Sequence, residues 1–203
     1  TVGPEEPSAK RFAWGSNVTG RLGDGTTTDY SSPIQVGTDT WTHLESMYNA
    51  GGGVKEAGTL WMWGNGGSGR LGLGNTTSYS SPVQVGALTN WLNVSCGYST
   101  YAVKTDGTLW AWGYNLNGQL GQGNTTSYSS PVQVGALTNW LSTASSYQFA
   151  LAIKTDGTLW AMGKNNRGQL GDGTVTQRNS PVQIGSFTDW LSISTGQSTS
   201  FGV

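Results

Sequence analysis

One motif recurs four times along this chain at a nearly fixed interval. Each copy reads roughly W-G-x-N-x-x-G-x-L-G-x-G, and the copies begin at Trp14, Trp63, Trp112 and Met162, so successive copies lie 49, 49 and 50 residues apart. Each copy is followed by Ser-Pro-x-Gln-Val/Ile-Gly and then by a single Trp. A fixed period near 50 residues indicates a ring or an array of equivalent units, in which each unit needs its neighbours to bury a core.

Alternating apolar runs joined by an Asp-Gly pair predict a β-hairpin in these units. The run at 101–105 leads through Asp106-Gly107 into the run at 108–112, and the pattern returns at 152–161. A degenerate copy at 54–62 has Ala-Gly in place of Asp-Gly. The Asp-Gly pair predicts a type I′ turn, which needs positive φ at both central residues. No segment shows a sustained period of 3.6 residues, so we expect almost no helix.

Two shorter segments supply the other strands of a unit. They lie at 132–134 and 140–142, which makes four short strands in about 50 residues, the content of one propeller blade. In the second hairpin strand Trp110 and Trp112 point to one face, and Leu109 and Ala111 point to the other. Both faces of the sheet are therefore apolar, as expected of a sheet packed between two neighbours.

The stretch from Trp112 to Gly121, together with the segment from Gly97 to Trp110 before it, closely resembles the regulator of chromosome condensation repeat. The resemblance extends over residues 11–203, and it implies a β-propeller, usually of seven blades. The amino-acid sequence of these repeats is similar to that of repeats common in bacterial and phage proteins. Nineteen residues, 74–92, recur unchanged at 123–141, so we interpret these stretches as scaffold.

The sequence therefore predicts an all-β protein: a β-propeller of four blades, each of about 50 residues and four antiparallel strands. Residues 1–10 are expected to form a flexible leader, and residues 11–203 a single propeller domain. The segment at 11–15 matches the last strand of a blade, whereas the segment at 198–203 stops just before that strand would begin. We expect these ends to close the ring as a clasp. Head-to-tail pairing between chains, or excision from a longer ring, would satisfy the same strands.

Composition argues against several classes of function. With 10 basic and 11 acidic residues the net charge is −1, so we expect neither nucleic acid nor an anionic membrane as a partner. No apolar run is long enough to span a bilayer, so we expect no membrane insertion. The single cysteine, Cys96, is expected to be a small buried residue.

The sequence offers little for catalysis, so we expect no enzymatic activity. The only histidine, His43, lies in a strand-like stretch without a partnered carboxylate, and one Cys with one His cannot form a zinc site. Asp24, Asp29 and Asp172 fit turn and capping roles better than a calcium loop. We therefore expect no cofactor and no metal.

Binding is the function class that the residues favour. The resemblance implies that the loops just before the A-L/I-K strands can present aromatic side chains to a partner from one rim of the ring. These loops vary between copies and carry Tyr, Asn and Gln, as a recognition surface would. The candidate partner-binding residues are Tyr48, Asn49, Tyr98, Ser99, Tyr147, Gln148, Gln197 and Ser198.

Two functions remain open from the sequence. The first is a non-catalytic module that binds a protein or glycan through this rim, with a cell or virion surface as the favoured setting. The second is a structural or decoration module that assembles with copies of itself or docks on a larger assembly. The variable loop residues could also merely cap the rim.

Overall fold

The computed structural model describes residues 10–47 and 49–203, and in them the chain is almost entirely β-sheet. One short 3-10 turn, Gly67–Gly69, is the sole helical element there, and none of the described residues belongs to a helix able to cross a membrane. The strands are β1 Lys10–Gly15, β2 Tyr30–Met47, β3 Ala50–Lys55, β4 Leu60–Gly64, β5 Tyr79–Gln84, β6 Trp91–Ser95, β7 Ser99–Lys104, β8 Leu109–Gly113, β9 Tyr128–Gln133, β10 Trp140–Ser145, β11 Phe149–Lys154, β12 Leu159–Gly163, β13 Arg178–Gln183, β14 Ile193–Thr195 and β15 Ser200–Gly202.

Three complete blades form the middle of the chain. Blade 1 consists of the second half of β2 with β3, β4 and β5; blade 2 is β6 to β9, and blade 3 is β10 to β13, each an antiparallel four-stranded arrangement in chain order. Neighbouring blades touch in sequence order, because β6 contacts β2 and β3, and β10 contacts β7. The expected all-β repeat architecture is confirmed.

An incomplete blade stands at each end. At the N-terminal side β1 pairs with the first half of β2, and these two segments are the third and fourth strands of a blade. At the C-terminal side β14 pairs with β15 in a separate two-stranded sheet, which supplies the first and second strands. The long β2 runs through two blades without a break. Its connecting segment, 36–41, is one residue shorter than the equivalent 85–91 and stays extended.

The predicted clasp is not confirmed, and neither is the count of four blades. Among the described residues β1 pairs only with β2, and β15 pairs only with β14, so the two ends lie in different sheets. The described chain is thus an arc of three complete and two half blades. The leader at 1–10 lies almost wholly outside the described residues.

The hairpin of each blade is confirmed, but the type I′ turn is wrong. Gly107 has a φ of +76°, whereas Ser68 is the one non-glycine with positive φ among the described residues, so Asp106 does not adopt it. The Gly107 N–H donates to the Lys104 carbonyl at 2.9 Å, which closes a turn that ends in a left-handed glycine. Asp106 instead accepts bonds from the backbone N–H and hydroxyl of Thr108, at 3.0 and 2.6 Å.

The core is divided among the interfaces between blades. One cluster lies around Trp91 and Trp112, the next around Tyr101 and Trp140, and a third around Phe149. Trp112 is fully buried, as expected of a sheet with two covered faces, although Trp110 is only half-buried. Each blade is therefore stabilised chiefly by the neighbour that covers it.

Candidate binding rim

The loops between the first and second strand of each blade lie at one end of the blade, beside the long glycine-rich loops that follow the third strand. The Tyr98 carbonyl accepts the Tyr114 N–H at 3.0 Å, and the Gln148 carbonyl accepts the Lys164 N–H at 2.9 Å. The same bond joins Asn49 to Asn65 in blade 1 at 2.8 Å. A repeated backbone bond thus sets side chains that differ from blade to blade along one edge of the arc.

Two of the predicted residues meet across neighbouring blades. The ring centroids of Tyr98 and Tyr147 lie 3.9 Å apart with the planes tilted by 39°, and Tyr114 lies edge-on to Tyr98 at 6.3 Å. Tyr147 is 37% exposed and Tyr98 is partly exposed. We call Tyr98, Tyr114 and Tyr147, with the supporting residue Arg70, the tyrosine cluster.

Arg70 supports this cluster from below. Its guanidinium carbon lies 4.4 Å from the Tyr98 ring centroid, and its Nε donates to the Gly67 carbonyl at 2.9 Å. Burial lowers the pKa of Arg70, while its electrostatic interactions with Tyr98 and Tyr147 act in the opposite direction. A buried cation against an aromatic face holds the ring in place.

The structure places the other predicted residues in different surroundings. Gln148 accepts a bond from Lys164 Nζ at 2.7 Å, whereas Ser99 is buried and its hydroxyl donates to the Tyr114 carbonyl at 2.5 Å. Asn49 lies on the blade 1 loop, and its carbonyl also accepts a bond from Thr19 at 3.2 Å. Gln197 is exposed and Ser198 partly exposed on the loop of the C-terminal half blade. Tyr48 lies outside the described residues.

Sequence reasoning missed Arg70, Tyr114 and Lys164. A signal was available, because the position of Tyr114 and Lys164 reads Ser, Asn, Tyr and Lys in the four copies, and the position of Arg70 reads Arg, Arg, Gln and Gln. The position of Tyr114 and Lys164 differs in every copy, as the chosen loops do. The contact between Arg70 and Tyr98 joins two blades, so local spacing could not reveal it.

At the opposite rim the same lysine–tryptophan contact repeats in each complete blade. There Lys55, Lys104 and Lys154 lie over the second-hairpin tryptophans of their own blades, with Nζ 3.8, 3.9 and 3.6 Å from the ring centroids of Trp61, Trp110 and Trp160. Each of those indoles donates to a threonine hydroxyl at 2.9 Å. This repeated contact belongs to the scaffold of every blade.

The histidine, cysteine and aspartate side chains for which no catalytic or metal-binding role is expected are hydrogen-bonded or buried. His43 Nε2 lies 2.7 Å from the Val94 carbonyl oxygen, and burial raises the pKa of the Cys96 thiol. Asp24 and Asp172 each accept a bond from a buried asparagine, at 3.0 and 2.9 Å, in turn and loop roles. Within residues 10–47 and 49–203, no three His, Cys, Asp or Glu side chains come together as metal ligands would.

Comparison with known proteins identifies the repeat. A sequence profile described as Regulator of chromosome condensation (RCC1) repeat matches residues 57–103, 106–153 and 156–203, and a second profile with the same description matches 92–119 and 141–169. No curated protein matches the chain at a significant level.

Solved structures of low sequence identity share the fold. The crystal structure of human WBSCR16 is 19% identical with a TM-score of 0.86, over 97% of this chain and 54% of that one. Prp20p from Saccharomyces cerevisiae is 17% identical with a TM-score of 0.82, over 94% of this chain and 50% of that one. The chain therefore spans about half the length of these structures, and likeness at this level of identity concerns the fold.

Proposed function

Because this chain belongs to the regulator of chromosome condensation repeat family, we propose that it is a non-catalytic recognition module that binds a partner through the tyrosine cluster. The partner is a protein or a glycan, and the setting is a cell or virion surface. The observation that carries the proposal is the contact between Tyr98 and Tyr147, two variable residues brought together from neighbouring blades at 3.9 Å.

The chemistry of the cluster suits recognition. Tyrosine combines a large apolar ring with a hydroxyl that donates and accepts hydrogen bonds, and its few rotatable bonds make ordering inexpensive in entropy. Arg70 fixes one ring from below, and the ion-dipole contact of Lys164 with Gln148 fixes the adjacent loop. A preorganised aromatic patch loses less conformational freedom on binding than a mobile one.

The related folds support a protein partner. The Prp20p structure was described together with its binding properties to Gsp1p and histones, and a second structure shows Kap60 bound to yeast RCC1 (Prp20), at 16% identity and a TM-score of 0.80 over 93% of this chain and 48% of that one. These partners belong to those proteins. For this chain the support comes from its own variable residues on a repeated scaffold.

The test separates binding from folding. Peptides selected against the wild-type chain from a displayed random library, and a glycan array probed with the same chain, would supply ligands of the two classes. We expect Tyr98→Ala with Tyr147→Ala to weaken binding of the selected ligands at least about tenfold, as aromatic hot spots do. The melting temperature should change little, since both rings are partly exposed.

The matched control lies on the opposite side of the blades. Leu88→Ala with Leu137→Ala removes two exposed side chains that are equivalent to each other in blades 1 and 2 and remote from the tyrosine cluster. This pair should leave ligand binding intact. Ligands that bind both double variants as well as wild type, or that are lost only in the leucine pair, would overturn the proposal.

A structural module that assembles with copies of itself is the second candidate. The observation that favours it is the exposed apolar surface of β1, where Phe12 and Trp14 are 53% and 59% exposed. An unpaired sheet edge with exposed apolar side chains is a template for pairing with another chain. This function uses β1 and β15 and leaves the tyrosine cluster free.

A further inference from the structure

We propose that the tyrosine cluster binds an acidic segment of a protein partner, and that the guanidinium of Arg70 holds a carboxylate of that segment beside Tyr98 and Tyr147. The inference rests on the recognition function proposed above and names its ligand. It follows from three features of Arg70: its burial without a counter-ion, its unused hydrogen-bond donors and the positive charge of the loops around it.

Arg70 is a buried cation without an anionic partner in the part of the chain that the structure describes. It is only 7% exposed. The two ion pairs there join Lys55 to Asp39 and Arg178 to Asp172, so neither involves it. A buried charge is costly unless an opposite charge or polar groups compensate it. A carboxylate from a partner would supply the missing counter-ion.

Most of the hydrogen-bond donors of this guanidinium are unused. Its Nε donates to the Gly67 carbonyl at 2.9 Å, which is the sole side-chain hydrogen bond of Arg70 to the described residues. Nη1 and Nη2 therefore lack acceptors there, and solvent reaches them, in contrast to the enclosed Nε of Arg11. A guanidinium presents a planar fork of N–H groups, two of which can bind both oxygens of one carboxylate. Arg70 can thus hold a carboxylate by two parallel bonds.

The site lies against the rings on which the recognition function depends. The guanidinium carbon is 4.4 Å from the ring centroid of Tyr98, and that ring contacts Tyr147 with centroids 3.9 Å apart. Both tyrosines interact electrostatically with Arg70. A carboxylate at Arg70 would therefore lie beside aromatic surface, and a tyrosine hydroxyl can donate a further hydrogen bond to it. The acidic group and an apolar group of the partner would bind at adjacent points.

The loops of the three complete blades around the cluster carry positive charge only. Their segments are 64–70, 96–99, 113–119, 145–148 and 163–169, and the charged residues in them are Arg70, Lys164 and Arg167. Three cations and no anion give these loops a net charge of +3, although the net charge of the chain is −1. The hairpin turns of the opposite rim, by contrast, contain Glu56, Asp106 and Asp156. The charge of the rim therefore favours approach of an anionic partner to the tyrosine cluster.

An exposed aliphatic side chain near the cluster favours a peptide over a glycan that carries carboxylates. Leu116 is 64% exposed on the same loop as Tyr114. A peptide can bury an apolar side chain against such a leucine, whereas a sugar offers little apolar surface to it. We therefore expect a ligand in which Asp or Glu lies within a few residues of a large apolar side chain.

The repeat itself supplies the variant that tests this site. Gln119 and Gln169 occupy the position of Arg70 in blades 2 and 3, so Arg70→Gln should fold. The carbonyl of residue 70, which accepts bonds from Thr100 and Trp112, is retained in the variant. The melting temperature, followed by circular dichroism, should stay close to that of the wild type.

The probes are fluorescent peptides selected from the random library against the wild-type chain, each also synthesised with Asn and Gln in place of Asp and Glu. We expect the selected peptides to be enriched in Asp and Glu, and Arg70→Gln to weaken binding of the acidic forms at least about tenfold. The amide forms should bind wild type and Arg70→Gln equally. Arg167→Gln is the matched control: it removes an exposed cation from the same rim and should weaken the acidic forms less than about threefold.

The outcomes separate this inference from the function on which it rests. If Arg70 only positions Tyr98, Arg70→Gln will weaken the acidic and the amide forms by the same factor, which would overturn the carboxylate site and leave the recognition function intact. Selected peptides without enrichment in Asp and Glu, or binding of glycans alone, would also overturn it. Peptides that bind wild type and the Tyr98→Ala, Tyr147→Ala double variant equally would instead reject the recognition function, and the carboxylate site with it.

Discussion

Trp112 and Trp14 occupy the same position of the same repeat, yet they lie in opposite environments. Trp112 in β8 is completely buried and its Nε1 donates to the Arg70 carbonyl of the preceding blade at 2.9 Å. Trp14 in β1 is largely exposed, because the half blade to which it belongs has no first and second strands in the described chain. The neighbour, and not the strand sequence, decides whether a tryptophan of this repeat belongs to a core.

The largest expected difference is between alanine substitutions at these two tryptophans. Trp112→Ala should lower the free energy of unfolding by about 3–5 kcal/mol, since it leaves a cavity in a packed interface. Trp14→Ala should cost less than about 1 kcal/mol in the monomer, because little buried surface is lost. Urea denaturation of both variants in dilute, monomeric samples measures the difference. Equal costs would show that β1 is covered within its own chain.

A smaller contrast is expected in the second strand. Leu151 in β11 is buried, whereas Phe201, at the equivalent position of β15, is largely exposed. Leu151→Ala should cost about 2–4 kcal/mol, and Phe201→Ala about 0.5 kcal/mol or less in the monomer. Thermal unfolding followed by circular dichroism compares them, and a larger loss at Phe201 would contradict the account.

Removal of a hydroxyl donor should show the same contrast between a complete and an incomplete blade, with a smaller change in the free energy of unfolding. Thr100 and Ser200 are equivalent and donate to the Arg70 and Gln169 carbonyls, but Thr100 is buried and Ser200 exposed. Thr100→Val should cost about 1 kcal/mol, while water can replace the hydroxyl in Ser200→Ala at almost no cost. Denaturant midpoints of the two variants test this, and a dominant effect at Ser200 would refute it.

The smallest effect concerns acid stability of the blade 3 loop. Burial alone would raise the pKa of Asp172, but bonds from Thr174 and Arg178 outweigh it and lower the pKa to about 2. An unfolded Asp has a pKa near 3.9. Asp172 therefore stabilises the fold above about pH 4, and this contribution is lost as the pH falls from about 4 to about 2.

Asp172→Asn should accordingly flatten the loss of stability in that pH range relative to wild type. Urea midpoints measured at intervals between pH 2 and pH 5 provide the comparison. Asp189→Asn is the control, because Asp189 lies at the exposed end of the link into the C-terminal half blade. Identical slopes for wild type and Asp172→Asn would contradict the assigned role.

The repeat period and the hairpins were predictable, because each copy carries its own turn and strand signals. The turn type was not, since Asp106 uses its carboxylate to accept the Thr108 N–H and stays out of the left-handed region that a type I′ turn requires. Ring closure was also beyond the sequence. It depends on the small rotation between packed blades, which no local pattern encodes.

The candidate site was predictable only in part. Variation between copies located Tyr98 and Tyr147, and the structure brings them into contact. Variation between copies could not show that Ser99 begins β7 and is buried, because strand boundaries are the least certain feature of a sequence pattern. Arg70 was missed because its contact with Tyr98 forms only when blades 1 and 2 pack.

Hydrogen exchange on the monomeric fraction of the wild-type chain, resolved strand by strand, would show whether neighbouring blades supply the stability of each strand. If neighbours supply the stability, amides of β7 and β8 should be strongly protected, and those of β1 and β15 should exchange at least about tenfold faster. Protection of β1 and β15 equal to that of β7 and β8, in a chain of monomeric mass, would contradict the account and indicate a ring closed within one chain.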